Sequence, residues 1–425
     1  MKSTFSLILL IATCFLFSTC GRSPAARTAS YATDGEAFEL SFPVTIDIAS
    51  VMSNFSENNI LSDLIYDIEY VQLETTDESL IRRGFVTVTD DYIFIICRRI
   101  FMFSRTGEFL RAIGQPGQGP RSFGPVMMPP EIDIVNRVIY IPVWGANRYR
   151  KFDFEGNYLG TITLSIRDEF GQIFALEDGS LFINFAVMFP FWDRYKLGWH
   201  FSPEGELLHI HPSHIVPESE RITSMREAAR LSMPYIGGHI WYRYQNKVMI
   251  NEPLNDTVFT ITPAGLVPRF ILDFGRYKPP LSVMTNQRSR FNQNYAWIFP
   301  WGMMETCRFF IIQFIHNRRG FTGVFDKTLG TFSLRASTRL PEDRANFTFY
   351  DFLINDFDGG LSTSLPQSGA SMTHPYRLID ELTPEHFARM RGRVKHSERM
   401  EALQRLVNNL DEEDNPVVRI FHFKR

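Results

Sequence analysis

The sequence predicts an all-β protein folded as a single six-bladed β-propeller. Two observations lead to this fold class. Of the 425 residues, 39 are Phe and 15 are Tyr, and aromatic side chains suit the pleated surface of a β-sheet better than a helix. In addition, a turn of the form aromatic-x-x-x-Gly-x-apolar recurs along the chain at a nearly fixed interval, which is typical of repeat architectures.

The recurring turn contains Gly107, Gly156 and Gly205, each 49 residues after the one before, in "FSRTGEFL", "FDFEGNYL" and "FSPEGELL". Looser copies around Gly265 and Gly330 follow at intervals of 60 and 65 residues, which indicate insertions. Glycine supplies the positive φ of a tight hairpin turn, so the pattern predicts five hairpins.

A second pattern, a polar turn leading into a short apolar strand, predicts the number of blades. Its six copies are "DDYIFII", "NRVIYIP", "DGSLFIN", "NKVMIN", "CRFFII" and "DGGLSTS". The missing sixth hairpin is expected, because propellers often complete one blade with strands from both ends of the chain. The predicted closing strands are Ile68 to Thr75 and Asn415 to Lys424. A β-sandwich is the alternative fold, but it gives no reason for a 49-residue period.

The N-terminus predicts export. Residues 1–19 form a signal peptide, because the apolar run from Phe5 to Phe17 is too short to span a bilayer. Its end, "FSTCG", resembles the lipobox of bacterial lipoproteins and predicts lipidation of Cys20. The alternatives are a competing site at Cys14 or a simple secretory signal. Residues 20–45 are predicted to be a tether and residues 46–425 the propeller domain, held in the cell envelope facing the periplasm or the cell surface.

Two segments interrupt the strand pattern with helical spacing, near residues 217–232 and 384–410. In the second, Pro384 follows a Thr at the N-cap position. Cys97 and Cys307 are too few to form a disulfide framework in so large a mature chain, and both lie in apolar runs, so we expect them to be buried.

The charge balance argues against nucleic-acid and anionic-surface partners. The 44 Lys and Arg nearly balance the 47 Asp and Glu, the net charge is -3, and the charges are interspersed. We expect a monomer that contacts the membrane through its lipid anchor alone.

The glycine-rich stretch "RAIGQPGQGPRSFG", residues 111–124, has the glycine spacing of a phosphate-binding loop. Pro120 and Arg121 stand where such a loop needs Lys and Ser or Thr, and no helix pattern follows. It is therefore predicted to connect the first two blades. The run "IFMFSRTGEFLRAIGQPGQGP", which contains most of this stretch, resembles the six-bladed, NHL-like propeller lipoproteins of anaerobic gut bacteria, together with "YVQLETTDESLI" and "DEEDNPVVRIFHFKR". The resemblance implies fold and export but no reaction.

The loops that follow the six repeated strands are expected to meet on one face around the propeller axis, where propellers commonly bind ligands. Their side chains suit a polar small molecule, glycan, peptide or envelope protein. The predicted ligand-binding residues are Arg98, Arg99, Trp144, Asn147, Arg148, Trp192, Glu252, Asn255, Asp256, His316 and Arg318.

The predicted function is therefore ligand or partner binding through the axial face, with no catalysis and no cofactor assumed. The alternative is a lactonase-like hydrolase or lyase that holds calcium or zinc on the same face through Glu252, Asn255, Asp256 and His316. A separate metal hypothesis rests on His209, His211 and His214 in "HIHPSHI", because residues two apart on a strand share a face. No carboxylate completes that set.

Overall fold

The computed structural model describes residues 40–56, 63–82, 84–117, 119, 121–123, 129–143, 147–166, 171–184, 196–214, 239–280, 296–339, 362–365, 368–390 and 397–425. Within these residues, six sheets of four or five strands form the blades of a β-propeller. The predicted fold class is confirmed. The predicted signal peptide, Cys20 and the predicted helix at 217–232 lie outside the described residues.

The N-terminal strands β1 (Val44–Asp47) and β2 (Ile65–Gln72) belong to later blades, and blades 1 to 5 each contain four consecutive antiparallel strands. Blade 1 comprises β3 (Phe85–Val88), β4 (Tyr92–Ile96), β5 (Ile100–Ser104) and β6 (Phe109–Ile113). The short strands β7 (Gln115–Pro116) and β8 (Ser122–Phe123) follow it. Blade 2 comprises β9 (Glu131–Asp133), β10 (Val138–Pro142), β11 (Arg148–Asp153) and β12 (Tyr158–Thr163). Blade 3 comprises β13 (Gln172–Ala175), β14 (Leu181–Asn184), β15 (Lys196–Phe201) and β16 (Leu207–Pro212).

Blade 4 comprises β17 (Ile240–Tyr244), β18 (Lys247–Asn251), β19 (Thr257–Thr262) and β20 (Gly265–Asp273), followed by a 3-10 turn at Gly275–Tyr277. Blade 5 comprises β21 (Phe299–Glu305), β22 (Phe309–His316), β23 (Arg319–Asp326) and β24 (Thr331–Arg339). Blade 6 contains β25 (Ser362–Leu365), β26 (Ser368–Thr373) and β27 (Val417–Phe423), and β2 completes it as the outer strand.

The predicted ring closure is confirmed by the antiparallel pairing of β2 with β27, in which Ile68 lies opposite Phe421. All five repeated glycines lie at the turn between the third and fourth strands of a blade and have positive φ, with values from 66° at Gly330 to 135° at Gly265. Blade 6 has no such hairpin because its third and fourth strands come from opposite ends of the chain.

The core is divided among the six interfaces between neighbouring blades. Each interface has its own cluster of buried apolar side chains, including the one between blade 6 and blade 1, where Val418 and Ile420 pack with Ile93 and Phe103. Each blade therefore buries both faces against its neighbours, which is why repeats of this kind are stable in a closed ring.

The N-terminal segment runs along the outer edges of three blades. Strand β1 pairs in parallel with β20 as a fifth strand of blade 4, and Ser56 forms a bridge to Arg335 on the outer strand of blade 5. The chain then enters blade 6 as β2. We call residues 40–56 and 63–72 the belt. It covers outer strands that would otherwise present unpaired backbone groups, and it includes residues that the sequence assigned to the tether.

Three helices lie between the second and third strands of blade 6: α1 (Pro375–Glu381), α2 (Pro384–Met390) and α3 (Ser397–Asn409). The last two correspond to the predicted helical segment. Their apolar side chains form a separate cluster against Tyr70 and Val417. None of the helices in the described part of the chain is long and apolar enough to cross a membrane.

The glycine-rich stretch connects β6 to β9, as predicted for a link between the first two blades. It folds back on itself, so that the Gly117 amide donates to the Phe123 carbonyl oxygen over 2.9 Å and the Phe123 ring is buried between blades 1 and 2. Gly114 has a φ of +65°, and a Cβ there would lie 2.6 Å from this ring. Gly114 therefore allows a backbone conformation and a close packing that a side chain would prevent.

Two expectations were wrong. The sixth strand copy, "DGGLSTS", overlaps β25, the first strand of its blade, whereas the other five copies are second strands; the equivalent strand of blade 6 is β26. Cys97 is half-buried as expected, but Cys307 is exposed because it lies in the turn between β21 and β22.

Candidate functional site

The loops between second and third strands, and the connections from blade to blade, lie at the same end of the antiparallel sheets. We call this end the upper face. Most of the predicted ligand-binding residues lie there, but Trp144 and Trp192 are outside the described residues. The described ones differ in whether their polar groups are already engaged by the fold.

Asn147 and Glu252 are engaged by the fold. The Asn147 amide donates to the carbonyl oxygens of Leu164, at 2.7 Å, and Ile166. Glu252 is fully buried, and its carboxylate accepts from the Ser213 hydroxyl and, over 3.0 Å, from the His214 amide. Burial raises the pKa of Glu252, and these hydrogen bonds oppose the shift. Glu252 thus joins blade 3 to the loop of blade 4.

Beside Glu252 a small cleft opens between blades 4 and 5. We call it the blade 4–5 cleft. Its walls are mainly apolar and come from the start of β17, the loop after β18, the link between the blades and the start of β21. The lining residues are Ile240, Asn251, Pro253, Leu254, Asn255, Asp256, Phe274, Lys278, Pro279, Ile298, Phe299 and Pro300. Apolar walls with a few polar groups are the composition of small-molecule sites.

Asp256 and Lys278 are the charged residues of the cleft lining. The Lys278 ammonium donates to Asp256 Oδ2 over 2.6 Å. The other carboxylate oxygen, Oδ1, is buried and has no hydrogen-bond partner among the described residues. Burial raises the pKa of Asp256, with a further contribution from Asp273, although Lys278 opposes the shift. An unsatisfied buried acceptor is costly, and a ligand that brings a donor removes that cost.

The loop that carries Asp256 is rigid and locally strained. Leu254 has a φ of +65°, a conformation that a branched side chain rarely adopts. The Asn251 amide holds the loop by donating to the carbonyl oxygens of Asn255, at 2.9 Å, and Thr257, at 3.0 Å. Strain of this kind persists where the surrounding structure fixes it, and it is frequent at binding sites.

His316 and Arg318 lie in the corresponding hairpin of blade 5. The His316 ring is largely buried, its Nδ1 is 3.4 Å from the Trp297 carbonyl oxygen, and it packs edge-on against Tyr277 at 5.1 Å. Burial lowers the pKa of His316. Arg318 is exposed and has a φ of +58°. The structure brings Asn255 and Asp256 together in the cleft, but neither His316 nor Arg318 lines it.

The histidines of "HIHPSHI" do not come together as a set of three metal ligands. The His209 and His211 rings are 4.6 Å apart, while His214 stacks on Phe259 in blade 4. Over the described residues, no three His, Cys, Asp or Glu side chains are placed to hold a metal ion.

Family comparison extends over almost the whole propeller. Residues 43–422 match the family model described as "Domain of unknown function (DUF4934)". The chain belongs to this family. Comparison with curated proteins gives no match.

Among solved structures, one shares the fold and others are less similar. A Bacteroides fragilis NCTC 9343 protein predicted to be exported superposes with a TM-score of 0.63 and 17% identity, over 90% of this chain and 100% of that one. A member of the DUF4221 family from Bacteroides vulgatus ATCC 8482 has a TM-score of 0.48 and 12% identity, over 85% and 97%. A virginiamycin B lyase from Staphylococcus aureus has a TM-score of 0.34 and 13% identity, over 65% and 75%. At these identities the likeness concerns the fold alone.

Sequence reasoning missed Lys278 and the apolar wall of the cleft. Lys278 lies in the link between blades 4 and 5, outside every repeated pattern, and its ion pair with Asp256 depends on the tertiary fold. The positive φ of Leu254 has no sequence signal either, because a leucine gives no indication of a left-handed backbone.

Proposed function

We propose that this protein is a cell-envelope binding protein that takes a small ligand, or a side chain of a partner, into the blade 4–5 cleft. The observation that supports the proposal is the buried, unsatisfied Oδ1 of Asp256, a residue that lines this mainly apolar cleft. The ligand is expected to have an apolar body and one hydrogen-bond donor, such as an amine or hydroxyl group. The proposal assumes binding and no catalysis.

The cleft is tested by a thermal-shift screen of small amines, alcohols and amino sugars, followed by titration of every compound that stabilises the protein. A cleft ligand should bind Asp256→Asn about 5- to 100-fold more weakly, because one acceptor oxygen becomes an amide donor. The matched control is Asp90→Asn, which alters an exposed carboxylate in the turn between β3 and β4, at the opposite end of the sheets. Equal affinity of all three proteins for every binding compound would refute the proposed site.

We further propose that lipidated Cys20 anchors the propeller. The support is the "FSTCG" sequence after the apolar run, and the similarity in fold to a protein predicted to be exported. Cys20→Ala should move the protein from the membrane fraction to the soluble fraction, whereas Cys14→Ala should leave it membrane-bound. Continued membrane association of Cys20→Ala would contradict the anchor.

A further inference from the structure

Four arginines lie at the upper ends of blades 1 and 2. Arg98 and Arg99 lie in the loop between β4 and β5, and Arg148 and Arg150 lie in the first half of β11. Arg98 and Arg148 are exposed, while Arg99 and Arg150 are partly buried. Arg150 does not belong to the set that the sequence predicted.

The two pairs lie at the same end of one blade interface. Ile100 follows Arg99 directly, and Ile141 is the cross-strand partner of Arg150. Ile100 and Ile141 belong to the same core cluster between blades 1 and 2. Arg148 and Arg150 are two residues apart on one strand and so share a face with Phe152, a member of that cluster. The face therefore points toward blade 1.

These arginines differ from others in the same two blades because their guanidinium groups form no ion pair or hydrogen bond with any described residue. By contrast, Arg105 donates to Glu69 at 2.7 Å and Arg137 donates to Glu155 at 3.1 Å. Two of the unpaired nitrogens, Arg99 Nε and Arg150 Nη1, are buried and have no acceptor within the described part of the chain.

A buried guanidinium donor without an acceptor is costly, and several like charges at one interface add repulsion. Both costs disappear when an anion supplies the missing acceptors, since arginine forms strong charge-assisted hydrogen bonds with carboxylate, sulfate and phosphate oxygens. We propose that the upper face at blades 1 and 2 is a second binding site, which takes a ligand carrying two or more oxyanion groups.

The number of arginines and their division between two blades favour a ligand with more than one oxyanion. Arg148 and Arg150 are about 7 Å apart along one strand, which lets both side chains reach the same anionic group. Arg98 and Arg99 offer a second point of contact on the neighbouring blade. Carboxylate, sulfate and phosphate groups share this chemistry, and the probes distinguish between them.

The test measures binding of dextran sulfate, polygalacturonate and pyrophosphate to the full propeller, with neutral dextran as the uncharged control. At least one charged probe should bind and raise the melting temperature, and its affinity should fall as NaCl is raised from about 50 to 200 mM. The double variants Arg98→Gln/Arg99→Gln and Arg148→Gln/Arg150→Gln should each weaken that binding at least tenfold.

Two further variants keep the result interpretable. Arg98→Gln/Arg148→Gln changes only exposed side chains and should weaken binding without unfolding the protein. Lys151→Gln/Arg405→Gln removes the same charge from the next residue of β11 and from α3, and it should bind like the wild type. Asp256→Asn should also bind the anion normally, because this site is independent of the cleft. Equal binding by the arginine and control variants, or no binding of any charged probe at 1 mM, would overturn the proposal.

Discussion

The backbone amide of Glu74 donates a 2.8 Å hydrogen bond to the carbonyl oxygen of Gly107, and this contact joins the end of the outer strand of blade 6 to the last turn of blade 1. The same contact recurs where Ser165, after the outer strand of blade 2, donates to Gly205 in blade 3 over 3.0 Å. At these two junctions the repeated turn docks onto the blade before it. The 49-residue period therefore reflects the packing of blades as well as the turns within them.

Replacing Gly107 with alanine should destabilise the protein more than replacing Gly265. Both glycines have positive φ, which costs a Cβ-bearing residue about 1–3 kcal/mol. A Cβ at Gly107 would also lie 2.1 Å from the Gln72 carbonyl oxygen, whereas nothing lies within 4 Å of a Cβ at Gly265. Urea unfolding of both variants measures the difference in stability. Equal losses of stability would show that the contact between Gly107 and Gln72 relaxes without a free-energy cost.

The fully buried carboxylate of Glu305 accepts hydrogen bonds from two cations. Replacing Glu305 should therefore destabilise the protein far more than replacing either cation. Arg269 Nε donates to this carboxylate at 2.8 Å, Lys327 Nζ at 2.9 Å and the Tyr242 hydroxyl at 3.3 Å. Glu305→Gln leaves the buried Lys327 and the partly buried Arg269 without their counter-charge, for an expected loss of about 3–5 kcal/mol. Lys327→Met leaves Arg269 paired with the carboxylate and should cost much less. Denaturant midpoints that place the two variants in the opposite order would contradict this account.

The protein should lose stability in mild acid through His211. Burial, followed by the nearby His209, His200 and His214, lowers the pKa of His211 from 6.5 to about 4. Between about pH 4 and 6.5, the unfolded chain therefore binds a proton at His211 and the folded protein does not. Stability is complete above about pH 6.5, declines as the pH falls toward 4 and levels off below it, with a total loss of up to roughly 3 kcal/mol.

Unfolding in urea at pH 7.5, 5.5 and 4.5 measures this dependence. His211→Leu should reduce the loss between pH 7.5 and 4.5, while the same change at the exposed His209 should alter it little. An unchanged slope in His211→Leu would assign the acid sensitivity to other groups.

The belt should contribute to stability through Ile46. This side chain is fully buried between blades 4 and 5, and Ile46→Ala is expected to cost about 2–4 kcal/mol. The neighbouring Thr45 provides the control, because its hydroxyl is buried without a partner among the described residues. Thr45→Val keeps the shape, removes that hydroxyl and should leave stability equal or higher. If Ile46→Ala left the stability unchanged, the belt would not contribute to stability through this residue.

The sequence predicts those parts of the fold that leave a local signal. Glycine at the third turn of blades 1 to 5 and the apolar strands before it form a recognisable period, and the closing strands are strand-like runs near the two ends of the propeller sequence. The position of strand β1 could not be predicted from such local signals. It pairs in parallel with β20, with Val44 opposite Phe270, and no short sequence pattern indicates this pairing. Strands β25 and β26 of blade 6 are weakly apolar, so the repeated pattern was assigned to the first strand of this blade and not to the second.

In the candidate sites too, the sequence predicts what depends on local position and does not predict what depends on tertiary contacts. Loop position was sufficient to select Asn255, Asp256 and the exposed Arg98 and Arg148. It could not separate them from Glu252, which is fully buried and already hydrogen-bonded. Whether a polar group is free depends on neighbours that are distant in sequence, such as Ser213 for Glu252 and Lys278 for Asp256.

The belt also dictates when the molecule can finish folding. Strand β1 can pair only after β20 of blade 4 has been made, and β2 can pair only with the final seven-residue strand of the chain. These N-terminal strands are therefore among the last to form their sheet pairings. Closing such long loops carries an entropic cost that is recovered only when the ring is complete. A growing chain of this design therefore cannot close its ring before its C-terminal strand has been made.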